Sequence, residues 1–223
     1  MASASVERAA TARTSALLAA CVAEQGSAPH PYALAAATAG GPHAARDLAD
    51  LLHFLCTLHG RYPGIVDQAA LRVVDPPARA WLTNAGYAFA GERAYLARIA
   101  AAAGPVPSTP GAAESDAAVH AQRHAIDLLA QSERSGCALG AAMAVVLDWA
   151  VIRRALDAAA QRFGLEAPPY ERAGADAVAT VADACASSPS VQRAMLFGAQ
   201  QLAVQHYGLW DLLEARHQAR GDS

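Results

Sequence analysis

The sequence predicts an all-α protein, a compact multi-helix bundle of about eight to ten helices with no sheet. Hydrophobic residues make up 54% of the chain and aromatic residues only 6%, and alanine supplies about half of the hydrophobic residues. Alanine is the best helix former, whereas strands are rich in aromatic and β-branched residues. Glycine and proline also fall where helices begin and end. The 223 residues are enough for a single all-helical domain over residues 1–223 whose core needs no disulfide or metal.

Four helices are predicted in the first part of the chain, followed by a long fifth segment. Asp75, Pro76 and Pro77 have the pattern of an N-cap followed by proline in the first turn. They open a segment that extends to Ala103, and Gly86 and Gly91 are expected to break or bend it. The four earlier helices are predicted at residues 5–25, from Pro31 to Gly40, at residues 43–59, and as a short helix after Gly64.

The second part of the chain begins with its clearest loop, residues 104–111, which contains three prolines and two glycines. Ser188 and Pro189 repeat the cap-and-proline pattern for a last long helix, in which Gly208 is a candidate interruption. The remaining predicted helices cover residues 110–131, 136–163 and 171–186. No fixed period recurs along the chain, which argues against a solenoid.

Composition and charge exclude several classes of function. All 17 basic residues are arginine and the net charge is −3, and because the arginines are scattered we expect no nucleic-acid binding. The N-terminal stretch lacks an apolar signal-peptide region, and the four cysteines show no metal-binding spacing, so we expect a cytoplasmic protein. The uncharged apolar run from Ser135 to Leu147 is followed by Asp148 and is too short for a membrane span.

Two acidic residues and two histidines are the candidate cofactor-binding residues. Asp50 and His53 are three residues apart on a helix that is apolar on most sides. They match half of the Glu-x-x-His device of helical di-iron proteins, with Asp in place of Glu. The alternative is a core histidine that bonds Asp50 or a backbone carbonyl, and it is favoured because the motif occurs once rather than twice.

Asp148 and His206 are the other two candidates. Asp148 interrupts an otherwise uncharged apolar segment, so its carboxylate needs a partner, and an arginine or histidine of another helix is expected. His206 continues an apolar stripe of the final helix and is expected to face inward. A polar pocket and a structural hydrogen-bond network are both consistent with these residues. Any ligand site is predicted between the third and final helices, lined by His53, Asp148 and His206.

His120 and His124 have the four-residue spacing of zinc-binding helices, but Ala121 follows His120 where a zincin has glutamate. The buried face of that helix is predicted at Val119, Ile126 and Leu129. The two histidines fall opposite it and are expected to face water.

Three stretches, residues 47–67 (DLADLLHFLCTLHGRYPGIVD), 104–124 (GPVPSTPGAAESDAAVHAQRH) and 132–149 (SERSGCALGAAMAVVLDW), resemble an uncharacterised bacterial family, an all-helical domain of unknown function. That resemblance implies no activity and no identified cofactor. More distantly, the order of helices with inward histidines and acids is similar to the haem-oxygenase-like and ferritin-like superfolds.

Two functional hypotheses follow. The first is a non-catalytic helical protein that forms a homodimer, in which the buried polar groups are structural or line a pocket for a small-molecule ligand. The second is a metal- or cofactor-dependent enzyme of the haem-oxygenase-like type that uses Asp50, His53, Asp148 and His206. The two differ in whether these four side chains converge on one site or have separate partners.

Overall fold

The computed structural model describes residues 13–38, 40–170 and 175–221, and these residues form nine α-helices without a strand. The predicted all-helical architecture and helix number are therefore confirmed. None of the described helices is long and apolar enough to cross a membrane. The helices are α1 (Thr14–Gln25), α2 (Pro31–Thr38), α3 (Ala44–His59), α4 (Ile65–Arg72), α5 (Pro76–Ala103), α6 (Ala112–Ala130), α7 (Cys137–Arg162), α8 (Ala175–Cys185) and α9 (Pro189–Gly221).

Most helix boundaries agree with the positions of proline and glycine. The side chain of Asp75 caps α5 by accepting a hydrogen bond of 3.0 Å from the backbone N–H of Ala78, which is the geometry expected of an N-cap. The Ser188 hydroxyl likewise accepts from the N–H of Val191 at the start of α9. The beginnings of the first and eighth predicted helices lie partly outside the described residues.

Two expected interruptions do not occur. Helix α5 continues through Gly86 and Gly91, and α9 continues through Gly208. The predicted breaks in these helices are wrong, because an isolated glycine costs a helix only about 1 kcal/mol and the packing of the apolar face outweighs that.

Helices α7 and α9 form the centre of the molecule. Helix α7 is buried over most of its length, as its uncharged sequence predicts. The two backbones touch where Gly140 of α7 faces Met195, and where Gly198 of α9 faces the carbonyl of Cys137. A Cβ atom at either glycine would collide with the backbone of the other helix. The other helices pack around this pair, and Trp149, Trp210 and Phe54 are the largest fully buried side chains.

Candidate functional site

Asp148 lies near the middle of α7 and is only 2% exposed. The backbone N–H and the hydroxyl of Ser27, which follows α1, donate to its two carboxylate oxygens at 2.9 and 2.5 Å. Nδ1 of His206 on α9 lies 2.6 Å from Oδ2 of the same carboxylate. Asp148 therefore accepts three hydrogen bonds from two residues, and the expected histidine from another helix is one of the two.

The chain of polar groups continues from His206 to His59, the last residue of α3. Their Nε2 atoms are 2.9 Å apart, so one nitrogen donates a proton and the other accepts it. Burial lowers the pKa of His59 well below its ordinary value, and electrostatic interactions with His206 and Arg123 lower it further. His59 is therefore neutral at pH 7. We call Ser27, His59, Asp148 and His206 the Asp148 cluster.

A glycine makes the close approach to Asp148 feasible. A Cβ atom on Gly26 would lie 2.6 Å from Oδ1 of Asp148 and 2.6 Å from the carbonyl oxygen of Val22. With glycine there, the chain leaves α1 and brings Ser27 directly against the carboxylate.

Asp50 belongs to a second buried group, formed between α3, α9 and the loop after α5. The guanidinium of Arg216 donates to both carboxylate oxygens of Asp50, at 2.7 and 2.9 Å. Arg220 bonds Asp47 and Asp50, and its Nε donates to the hydroxyl of Thr109 at 3.1 Å. We call these five residues the Asp50 cluster. Two carboxylates face two guanidinium groups, so the charges within the cluster balance.

His53 has a partner of a different kind. Its Nε2 lies 2.8 Å from the carbonyl oxygen of Gly104, at the end of α5. This is the backbone-carbonyl alternative that the sequence analysis favoured. His120 and His124 are exposed on α6, as predicted, and Val119, Ile126 and Leu129 form its buried face.

The four predicted site residues are therefore distributed over three places. Asp148 and His206 are bonded to each other, whereas Asp50 pairs with arginines and His53 with the loop carbonyl of Gly104. Among the residues that the structure describes, no three His, Cys, Asp or Glu side chains are grouped closely enough to hold a metal ion.

A third buried group was missed by the sequence reasoning. Glu92 of α5 accepts hydrogen bonds from Nε1 of Trp149 at 2.9 Å and from Nη1 of Arg153 at 2.7 Å. Arg153 also bonds Asp157 and the carbonyl of Pro168. The available signal was the position of Glu92 between Phe89 and Leu96, on the buried face of α5.

The sequence also contained signals for His59 and for the arginines. His59 ends the apolar third helix six residues after His53, about 120° away from it around the helix axis, and its pairing with His206 was not predicted. Asp47 and Asp50 are three apart on α3, and Arg216 and Arg220 are four apart on α9. One apolar helix therefore carries two acids on the same side, and another carries two arginines on the same side. From this pattern, ion pairs between the two helices could have been predicted.

A cleft lies at the beginnings of α7 and α9, and we call it the α7 cleft. Its volume is about 500 Å³. Apolar walls come from Val73, Leu139 and Val191, and the polar groups at its edge are Arg72, Asp75, Ser132, Glu133, Arg134, Ser135, Cys185 and Ser187.

The cysteine in the α7 cleft is held as a thiol. Sγ of Cys185 lies 3.4 Å from Oδ1 of Asp75, and burial, followed by this carboxylate, raises the pKa of Cys185 to about 12. A thiol with so high a pKa is a poor nucleophile at neutral pH, so the cleft has the features of a binding surface rather than of a cysteine-based active site.

Comparison with known proteins identifies the family. A family described as "Family of unknown function (DUF6975)" matches residues 22–221. The chain belongs to this family. No curated protein and no solved structure matches the chain, so the similarity to haem-oxygenase-like and ferritin-like folds stays a prediction. The DUF6975 match includes the Asp148 cluster, the Asp50 cluster and the α7 cleft, and it carries no activity or ligand with it.

Proposed function

We propose that the protein is a non-catalytic helical protein, folded as a single domain in the cytoplasm, that binds a small molecule in the α7 cleft. The observation that carries this proposal is the cleft itself, which is separate from the residues of the three buried polar groups. Small-molecule sites have volumes of roughly 300–1,000 Å³ and combine apolar walls with a few polar groups. A cleft of about 500 Å³ with three apolar wall residues and several hydroxyl and guanidinium groups has this character.

The buried polar groups support the non-catalytic part of the proposal. Asp50, His53, Asp148 and His206 each have a protein partner at hydrogen-bond distance. A buried charge that is paired in this way joins helices, and it needs no ligand to satisfy it. The four free cysteines are consistent with the reducing conditions of the cytoplasm.

The proposal predicts that filling the α7 cleft abolishes ligand binding. Ala184 lines the cleft and is exposed, so Ala184→Trp should occupy the space without disturbing the core. Native mass spectrometry of the protein purified under non-denaturing conditions should detect a co-purified small molecule on the parent. Ala184→Trp should lose that mass, and the matched variant Ala118→Trp, on the exposed side of α6, should keep it. A parent that carries no adduct, or an adduct that Ala184→Trp retains, contradicts the proposal.

One observation favours a second candidate function, an enzyme that uses the Asp148 cluster. Asp148, His206 and His59 form a continuous carboxylate–imidazole–imidazole chain, which can hold a proton and move it between the two rings. If this candidate is correct, the species that co-purifies will be lost in His59→Gln and kept in Ala184→Trp. The same mass measurement therefore separates the two functions.

A further inference from the structure

The most exposed apolar side chains of the described residues lie on one face, formed by α4, α5 and the turns beside them. Tyr62, Leu71, Val74 and Tyr87 are 78%, 80%, 84% and 77% exposed. Other large hydrophobic residues on the surface are much less exposed, for example Leu128 at 57%. We call the face formed by these four side chains and the outer side of α5 the α5 face.

The α5 face is continuous. Three grooves, of about 330, 450 and 220 Å³, run along it. The first two share Thr83, and the first and third share Tyr87. Tyr62 and Leu71 border the first groove, and Val74 borders the second. Protruding apolar side chains and grooves therefore alternate over a single surface.

The outer side of α5 is also uncharged over most of its length. Between Arg79 and Arg98, the exposed residues of α5 are Ala80, Thr83, Asn84, Tyr87, Ala90, Gly91, Ala94 and Ala97, none of them charged. Of the two arginines at the grooves, Arg93 is paired with Asp67 at 2.9 Å, whereas Arg79 donates to the carbonyl of Val73 at 3.0 Å and keeps its positive charge.

We propose that the α5 face is the interface of a homodimer. A two-fold interface uses the same patch on both subunits, so that patch must supply both the protrusions and the grooves that receive them. The α5 face supplies both, and two copies can meet along the outer side of α5 without repulsion between like charges, since no exposed residue between Arg79 and Arg98 is charged. A partner recognised by charge would instead need exposed charged groups along the outer side of α5, and the helix has none there between Arg79 and Arg98.

The available area agrees with a dimer of moderate affinity. The two tyrosines, each nearly four-fifths exposed, offer roughly 300 Å², and Leu71 and Val74 add roughly 200 Å². A patch of this size is at the upper end of those on monomers and is typical of an interaction site. A stable interface buries about 800 Å² on each partner, and the uncharged outer side of α5 provides the remainder.

Sedimentation equilibrium of the full chain over a wide range of concentrations tests the proposal. The parent should approach twice its monomer mass of 22.9 kDa and form no larger species, because a two-fold interface closes on itself. Tyr87→Glu and Leu71→Glu should each weaken the dimer about tenfold or more. Both residues are exposed, so circular dichroism should show an unchanged fold.

Leu128→Glu is the matched control, since Leu128 is exposed on α6, outside the α5 face. It should leave the dissociation constant unchanged. A parent that remains monomeric throughout overturns the proposal and leaves the α5 face to a different protein partner. A dimer that survives Tyr87→Glu and Leu71→Glu, or one that only Leu128→Glu dissociates, overturns it as well.

Discussion

Asp148 illustrates how a single residue in the sequence can require a partner without identifying it. An unpaired carboxylate in an apolar helix costs more than a fold can tolerate. The need for a histidine or arginine was therefore predictable from Asp148 alone. Ser27 was not predictable, because it lies in a loop 121 residues away in the sequence and contacts Asp148 only after α1 has packed against α7.

Replacing Asp148 by alanine should lower the free energy of unfolding by about 3–5 kcal/mol, because Ser27 and His206 would lose their shared acceptor inside the core. Asp148→Asn should cost less. Its amide oxygen can still accept from the N–H of Ser27, and His206 can change tautomer to accept from the new amide N–H. Urea denaturation measures both variants.

Asp127→Ala is the control for this comparison, since Asp127 pairs with Arg123 in a partly exposed contact within α6. Its loss should change stability by less than about 0.5 kcal/mol. If Asp148→Ala unfolds at the same urea concentration as the parent, the buried network contributes nothing to stability.

At the scale of helices, boundaries were easier to predict than contacts between helices. Proline, glycine and the cap at Asp75 are local signals, and they located most helix ends. The glycines at positions 86 and 91 were misjudged because local propensity is weak compared with packing. The contact between α7 and α9 depends on Gly140 and Gly198, and nothing in the sequence distinguishes these glycines from the others.

That contact gives a prediction at the scale of helices. Gly198→Ala places a Cβ against the carbonyl of Cys137 on α7, so the two central helices must separate. Overpacking of this kind costs about 1–3 kcal/mol or more. Gly91→Ala is the matched control, because it is also within a helix and a Cβ there meets no atom within 4 Å.

Gly91→Ala should stabilise the protein by about 0.5–1 kcal/mol, since alanine is the better helix former. Thermal unfolding monitored by circular dichroism should therefore move the two variants in opposite directions. Equal shifts, or a shift of Gly198→Ala to higher temperature, would show that the backbones of α7 and α9 do not touch.

For the molecule as a whole, the three buried polar groups connect segments that are far apart in the sequence. The Asp148 cluster joins the end of α1 to α3, α7 and α9, and the Asp50 cluster joins α3 and α9 to the loop after α5. Helix periodicity placed Asp50, Asp148 and His206 in apolar surroundings, but it did not identify Glu92 or the arginines that pair with the acids as buried. Their grouping depends on the angles at which helices cross, which residue patterns do not specify.

The Asp148 cluster also predicts how the stability of the whole molecule depends on pH. His59 titrates in the folded state well below its ordinary pKa of 6.5, so below that pH the unfolded chain binds a proton that the folded protein does not. Stability from this histidine is therefore present above about pH 6.5 and lost as the pH falls, with a slope of up to about 1.4 kcal/mol per pH unit.

His59→Gln tests this prediction. It removes the proton that the unfolded chain takes up at His59, and the amide N–H of the glutamine can still donate to His206. Urea denaturation between about pH 7.5 and 5 should give a shallower pH dependence for His59→Gln than for the parent, whereas His120→Gln, at an exposed histidine of α6, should match the parent. If His59→Gln and the parent lose stability in parallel as the pH falls, His59 of the parent takes up a proton equally in the folded and the unfolded state. In that case the pairing with His206 does not keep His59 neutral.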